Sequence, residues 1–322
     1  MAGKMGRVAR KAGAQAPPRL AATKMNTSSN FIRAGLIGTG IQASLTPAMH
    51  MAEARSQGFS YRYDLLDLSV LGGGAERLAG LIAQAESEGF SGLNITHPCK
   101  QAVIPLLDIL SDDATALGAV NSVVLRDGRR HGHNTDWWGF AEGFRPRLPN
   151  AELSHVVQLG AGGAGAATVY AILMLGADAV TIFDPDGARV AALVSAMAAR
   201  FPSARISAGG DLAAAMADAS GLIHSTPTGM ANYPGLPLDA DLLQAHQWVA
   251  EIVYFPLETA LLAAARRRGC QVIDGGGMAV FQAVGAFRLF TGRQADAGRM
   301  MRHFMELTGT RAENEIHPGS VR

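Results

Sequence analysis

In His155-Val156-Val157-Gln158-Leu159-Gly160-Ala161-Gly162-Gly163-Ala164-Gly165 a short apolar run passes directly into six residues that satisfy G-x-G-x-x-G, and a helical pattern follows over 164–175. Glycine at the first position permits a tight turn, at the second it lets the backbone approach a pyrophosphate, and at the third it lets helix and strand pack closely. The helix N-terminus then supplies unpaired N–H groups and a partial positive charge. Residues Val156 to Ala177 carry no charge and are long enough on paper to cross a bilayer. The glycines among them, with Gln158 and Thr168 between, make a buried strand, a tight turn and a packed helix the better reading.

Downstream the alternation continues, with strands over 179–183, 205–207, 221–225, 248–252 and 271–273 and helices over 187–200, 211–217 and 257–268. This βαβ series predicts a doubly wound, Rossmann-type sheet within 137–274. Asp184 ends the strand after the glycine turn, 19 residues past Gly165, where a carboxylate can accept hydrogen bonds from both ribose hydroxyls of NAD. A 2′-phosphate there would face Asp184 and Asp186, and one like-charge contact at about 4 Å costs on the order of 4 kcal/mol at an effective dielectric of ~20. Arg189 could stack on the adenine, pair with Asp184 or offset a 2′-phosphate. NAD is the expected cofactor, with Gly160, Ala161, Gly162, Gly163, Ala164, Gly165, Asp184 and Arg189 as its contacts.

Upstream, Phe31–Gly38, Tyr61–Leu66 and Gly92–Thr96 read as strands. Ala48–Gln57, Ala75–Glu86 and Lys100–Leu110 read as helices, the first opened by Thr46-Pro47 and the last kinked or broken at Pro105. A hairpin-like excursion through Ser122–Leu125 and Arg126-Asp127-Gly128 ends at Asn134-Thr135-Asp136. The expected fold is α/β in two domains. A substrate-binding catalytic domain comprises 31–136 and 275–322, and a dinucleotide-binding domain, 137–274, lies between. The helical pattern over 279–306 can pack back on the first domain because Gly275-Gly276-Gly277 can absorb a sharp change of direction.

The 322 residues are 48% hydrophobic and 17% charged, which suits two medium cores and excludes disorder of the whole chain. With 28 basic and 27 acidic residues there is no global field to attract nucleic acid or an anionic membrane. Residues 1–30 hold Lys4, Arg7, Arg10, Lys11, Arg19 and Lys24 and no acid, and read as a disordered basic tail similar in composition to a transit peptide. Cys99 and Cys270 offer neither a disulfide framework nor metal-ligand spacing, so a cytoplasmic location and no metal site are expected. Monomer and homodimer are both compatible with the sequence.

Asn94-Ile95-Thr96-His97-Pro98-Cys99-Lys100, then Ala119-Val120-Asn121-Ser122, then Gly132-His133-Asn134-Thr135-Asp136 place amides, a carboxylate and one lysine at strand ends and near a helix start. In this order, ahead of a dinucleotide domain, they resemble the shikimate dehydrogenase family, with its N-x-T-x-P-x-K, A-x-N and G-x-N-T-D segments. The resemblance covers nearly all of 31–310. Gly38–His50 is similar to the family's opening G-x-P-x-x-x-S-x-S-P-x-x-H, with Gly40 for the proline and Thr46 for the second serine. Thr226-Pro227-Thr228-Gly229-Met230 looks like the T-P-x-G-M loop beside the nicotinamide, and Gly275 to Ala283 like the closing G-x-x-M-x-x-x-Q-A. Biosynthetic members usually end the second dinucleotide strand with an Asn-Arg-Thr-like turn, whereas this chain has Phe183-Asp184-Pro185-Asp186. That departure, Tyr61–Asp64 and Val253–Thr259 look like the NAD-dependent quinate/shikimate dehydrogenases.

The resemblance implies reversible oxidation of quinate to 3-dehydroquinate and of shikimate to 3-dehydroshikimate, with Lys100 and Asp136 handling the hydroxyl proton. An ordinary lysine ammonium keeps its proton at neutral pH, and a carboxylate beside it strengthens that hold. The two are therefore expected to share hydrogen bonds with the reacting hydroxyl as one unit. Ser44 and Thr46 would donate to the substrate carboxylate, while Asn94, Thr96, Asn121, Asp136 and Gln282 divide the ring hydroxyls. Thr226, Pro227, Met230, Val253 and Gly275 join the cofactor contacts. An NADP-dependent biosynthetic shikimate dehydrogenase and a non-catalytic NAD-sensing protein are the alternatives. His50, His97, Trp137 and Trp138 are expected to be structural, and Cys99 to have no chemical role. His224 stands where the family often has asparagine, which leaves the contacts of its loop open.

Overall fold

The structure, a computed structural model, describes residues 31–309. The basic segment 1–30 and the end of the chain, 310–322, lie outside the described residues.

Six strands form the first sheet: β1 (Phe31–Gly38), β2 (Ser60–Asp67), β3 (Gly92–Ile95), β4 (Ile109–Leu110), β5 (Ser122–Arg126) and β6 (Arg129–His133), in the order β2-β1-β3-β5-β6-β4. β1 runs parallel to β2 and β3, as the βαβ pattern predicts, and β5 is antiparallel to β3 and β6. β5 turns back into β6 through the hairpin at Asp127-Gly128. Both residues have positive φ, 52° and 69°, the twist that a two-residue turn between antiparallel strands requires.

The second sheet contains β7 (Val156–Leu159), β8 (Ala179–Phe183), β9 (Arg205–Ala208), β10 (Gly221–His224), β11 (Trp248–Glu251) and β12 (Gln271–Ile273), all parallel, in the order β12-β11-β10-β7-β8-β9. β7, β10 and β11 are buried at every residue. A strand covered on both faces has no polar alternation, which is why these segments read as near-continuous apolar runs. Winding reverses between β7 and β10, so the ligand crevice of such a sheet lies beyond their carboxyl ends.

Helix Asp136–Phe144 joins the lobes. A Cβ added at Gly139 would lie 2.6 Å from the backbone nitrogen of Gln282, and one at Gly143 3.1 Å from the carbonyl carbon of Gly277. These glycines let it nest against helix Gly276–Thr291. On its other side Trp137 donates Nε1–H to Asp113 at 2.6 Å and meets the Tyr170 ring edge-on at 5.2 Å. Tyr170 belongs to helix Gly163–Met174, which follows β7. Trp138 packs edge-on against Phe281.

Two expectations need correction. The helix expected over Lys100–Leu110 is a single turn, Cys99–Ala102, then a 3-10 turn, Ile104–Leu106, then β4. Pro105 has no N–H to offer the Gln101 carbonyl, so the α-helical ladder cannot continue through it, and the chain tightens into the 3-10 turn that holds the proline. The C-terminal pattern does return to the first sheet, where Phe290 fills the space beside Gly92. It is divided at Gly292, φ 70°, into Gly276–Thr291 and Ala297–Leu307.

Candidate active site

At the carboxyl end of β7, Gly160 has φ 97°. A Cβ there would lie 2.8 Å from the Ser225 carbonyl oxygen, and one at Gly165 only 2.2 Å from the Gly160 carbonyl oxygen. The fold itself requires these two glycines. Gly162 is different: nothing lies within 4 Å of an added Cβ, and at Gly163 the nearest atom is Lys100 Cδ at 3.8 Å. Helix Gly163–Met174 starts beside this open space without a side-chain cap. Unpaired first-turn N–H groups next to glycines that the chain does not need for its own packing fit a pyrophosphate.

Asp184 follows β8. Its Oδ2 accepts the Ala161 N–H at 2.8 Å and its Oδ1 the Asp186 N–H at 2.9 Å, leaving a lone pair on each oxygen for ribose hydroxyls. Arg189 lies 3.6 Å from Asp184 and 3.4 Å from Asp186.

The first sheet presents its polar groups opposite. The turn Cys99–Ala102 delivers Lys100, and Asp136 opens helix Asp136–Phe144. Lys100 Nζ donates to Asp136 Oδ2 at 2.6 Å, with the two side chains 21% and 9% exposed. Asn121 Nδ2 donates to Asp136 Oδ1 at 2.8 Å, and Asn121 Oδ1 accepts from Thr135 N–H at 2.8 Å and Ser122 O–H at 3.1 Å. Asn94 Nδ2 donates to Ser122 Oγ at 3.0 Å and to the Asn121 carbonyl at 3.2 Å, while its Oδ1 accepts from Tyr63 O–H at 2.8 Å.

Backbone groups fix both amides, because the Thr135 N–H needs an oxygen from Asn121 and the Asn121 carbonyl needs an N–H from Asn94. The result is a one-way series of donors from Tyr63 to the Asp136 carboxylate. Burial pushes the Tyr63 phenol far above its usual range, so it keeps its hydrogen. Asn94 fits its expected role only narrowly, since both of its amide hydrogens are engaged and one lone pair remains.

The loop carrying Ser44 and Thr46 is anchored by Asp67. That carboxylate accepts from Gly40 N–H, Ile41 N–H and the Gln42 amide at 2.9, 3.0 and 3.0 Å, and from Ser69 N–H at 3.0 Å. Burial pushes its pKa up, and these donors outweigh that and hold it down at about 2. Ser44 and Thr46 are half-buried at the start of helix Thr46–Ser56. Among the described residues, no hydrogen bond joins either to Lys100 or Asp136. Thr96 packs its methyl over Gly38. Gln282 donates to the Ala279 carbonyl at 3.1 Å, and its own carbonyl accepts the Thr135 hydroxyl at 3.1 Å.

In the loop after β10, Thr226 Oγ1 lies 2.5 Å from His224 Nε2, and the Pro227 carbonyl accepts the Met230 N–H at 3.1 Å. Val253 N–H donates to Glu251 at 3.0 Å. A Cβ at Gly275 would lie 2.3 Å from the Ile252 carbonyl oxygen, so backbone packing alone accounts for that glycine. His50 is wholly buried and 3.0 Å from the Tyr61 hydroxyl, whereas His97 is exposed. Cys99 and Cys270 are free and buried, and burial pushes both thiols up.

Sequence reasoning missed Tyr63, Ser122 and Thr135 as parts of the site. Tyr63 lies in a largely polar strand and Thr135 precedes a helix, so neither stands out from the sequence, and Ser122 is a polar residue at the head of a largely apolar strand. It also left His224 without its partner, Glu251.

Residues 36–123 match the family model described as the shikimate dehydrogenase substrate binding domain. The chain is 56% identical over 280 residues to a shikimate dehydrogenase (NADP(+)) of Streptomyces avermitilis, covering 86% of this chain and 96% of that one. It is 47% identical to a quinate/shikimate dehydrogenase (NAD(+)) of Corynebacterium efficiens, covering 85% and 97%. Among solved structures, quinate dehydrogenase from Corynebacterium glutamicum in complex with NAD superposes with a TM-score of 0.81 at 45% identity, covering 85% of this chain and 99% of that one. With relatives this similar along nearly their whole length, the chain belongs to the shikimate dehydrogenase family.

Proposed function

We propose that this chain catalyses the reversible, NAD-dependent oxidation of quinate to 3-dehydroquinate and of shikimate to 3-dehydroshikimate. One observation carries the reading. The Lys100 side chain bonds Asp136 at its tip, while its Cδ lies 3.8 Å from the Cβ position of Gly163, so a proton-handling pair meets a dinucleotide turn. Bound NAD supplies the hydride acceptor. The substrate hydroxyl releases its proton to the Lys100–Asp136 unit, and in the reverse direction the Lys100 ammonium donates it. Asn121 holds Oδ1 of Asp136 and leaves Oδ2 for the lysine and the reacting hydroxyl.

The relatives named above divide between NADP and NAD, and the corner after β8 supports NAD. Arg189 is half-exposed and answered by both Asp184 and Asp186. Two carboxylates against one guanidinium leave net negative charge where a 2′-phosphate would sit. Ser44 and Thr46 are assigned to the substrate carboxylate. Thr96, Asn121, Asp136, Gln282 and the remaining lone pair of Asn94 are assigned to ring hydroxyls, and the 226–230 loop with Val253 to the cofactor. The lobes divide near 136 and 274, with helix Asp136–Phe144 as the hinge. Among the described residues no helix is long and apolar enough to cross a membrane, and two free buried thiols support a reducing, cytoplasmic setting.

Steady-state kcat/KM for quinate and shikimate with each dinucleotide tests the reading. Turnover of both substrates with preference for NAD is expected. Preference for NADP with shikimate alone would identify a biosynthetic enzyme, and dinucleotide binding without turnover a sensor.

A further inference from the structure

His224 and Glu251 end neighbouring strands β10 and β11, face each other in register, and have side chains with no solvent exposure. The mechanism above uses neither. His224 Nδ1 lies 2.9 and 3.0 Å from the two Glu251 oxygens, so the ring hydrogen sits on Nδ1. Glu251 also accepts the Val253 N–H at 3.0 Å and the Thr259 hydroxyl at 3.2 Å. On the other side of the ring, Nε2 is 2.5 Å from Thr226 Oγ1. That oxygen accepts the Thr228 N–H at 3.3 Å and directs its own O–H to Nε2.

One imidazole thus ties Thr226 to a carboxylate that also holds the start of the next loop at Val253. Through Thr259, which accepts the Leu262 N–H at 3.3 Å, the same carboxylate reaches the cap of helix Ala260–Arg267. Ser225, between His224 and Thr226, donates to the Leu159 and Gly160 carbonyls at 2.9 and 3.2 Å. The loop suspended from this ring therefore runs along the glycine turn. A buried ionisable pair adds little stability over apolar packing of the same volume, whereas a ring with a fixed tautomer sets the direction of a hydroxyl.

We propose that His224, oriented by Glu251, is a positioning residue for the dinucleotide: it aims Thr226 and presets the 226–230 loop, and leaves the substrate side untouched. The inference rests on the NAD reading above. Calorimetric titration of the purified protein with NAD, in the absence of substrate, reads it directly, with thermal unfolding as the check on folding. His224→Leu is expected to weaken NAD binding about tenfold and to leave KM for quinate within twofold. His224→Gln, whose amide still reaches Thr226, should stay within about threefold of the wild type.

Thr226→Val should lose about as much as His224→Leu, and the double variant no more than either single. Should the leucine variant not fold, His224→Met, a flexible filler of the same space, carries the same expectation. A folded His224→Leu or His224→Met protein with unchanged NAD affinity overturns the proposal, as does a double variant whose loss is the product of the two single losses. A wild-type protein that binds no NAD overturns the functional reading itself, which separates the two failures.

Discussion

Lys100 and Asp136, 36 residues apart in the chain, meet at 2.6 Å, and the carboxylate receives a second hydrogen bond, from Asn121, on its other oxygen. The aspartate therefore orients the lysine while being oriented itself from the opposite side. Removing the ammonium is expected to act on the chemical step. Lys100→Ala should lower kcat by roughly 10²–10⁴, the usual range for a general acid–base group, in an assay of NADH formation from quinate. Turnover at the wild-type rate would remove Lys100 from the reaction.

The glycines of the turn separate packing from binding. At Gly165 a Cβ would meet the Gly160 carbonyl at 2.2 Å, so Gly165→Ala should cost about 1–3 kcal/mol or more, as overpacking does. At Gly162 the backbone is extended and an added Cβ meets nothing within 4 Å. Gly162→Ala should keep its stability within about 0.5 kcal/mol and lose at least about tenfold in NAD affinity, because the methyl takes the room of the pyrophosphate. Urea unfolding and NAD titration of both variants check the contrast.

Asp184 has a structural duty beside its proposed ribose contact, since it accepts the Ala161 N–H. Asp184→Asn keeps an acceptor there and removes the charge. The ratio of kcat/KM for NADP to that for NAD should rise by at least about tenfold, part of the roughly 4 kcal/mol that a like-charge contact can cost. An unchanged ratio would show that Asp184 does not select the cofactor.

Burial holds the His50 imidazole down at about 3, against an ordinary value of 6.5, among the rings of Tyr61, Tyr63, Phe287 and Phe290. Between those values the unfolded chain binds a proton that the folded chain does not. The stability associated with the neutral ring is complete above pH ~6.5 and falls by about 1.4 kcal/mol per unit as the pH drops below it. His50→Leu should flatten the acid limb by about 2 kcal/mol between pH ~6.5 and ~5, whatever its stability at neutral pH. Urea midpoints across that range measure the slope, and parallel slopes in the two proteins would refute the assignment.

Much of this architecture is legible in the chain because its signals are local. The strand and turn at 155–165 announce themselves by composition, and strands buried on both faces are apolar throughout. The helix expected at Lys100–Leu110 fails because Pro105 ends the pattern where an apolar rhythm continues. The short helix Asp112–Leu117 was missed, although Ser111 caps it and Gly118 closes it in the left-handed conformation. The donor series from Tyr63 through Ser122 to Asp136 is not legible at all. The amide orientations of Asn94 and Asn121 are set by backbone groups that become neighbours only when β3, β5 and the start of helix Asp136–Phe144 assemble. For the same reason no spacing rule joins His224 to Glu251, which meet only through strand register.

Helix Asp136–Phe144 carries Asp136 in its first turn and is seated by Gly139 and Gly143 against helix Gly276–Thr291. Any chimera that grafts a foreign nucleotide module onto this scaffold must respect that seat. A splice made within the helix, or one that imports it without its mate, would deliver the aspartate out of step with Lys100, so a swappable cassette has to begin after Phe144 and finish before Gly276.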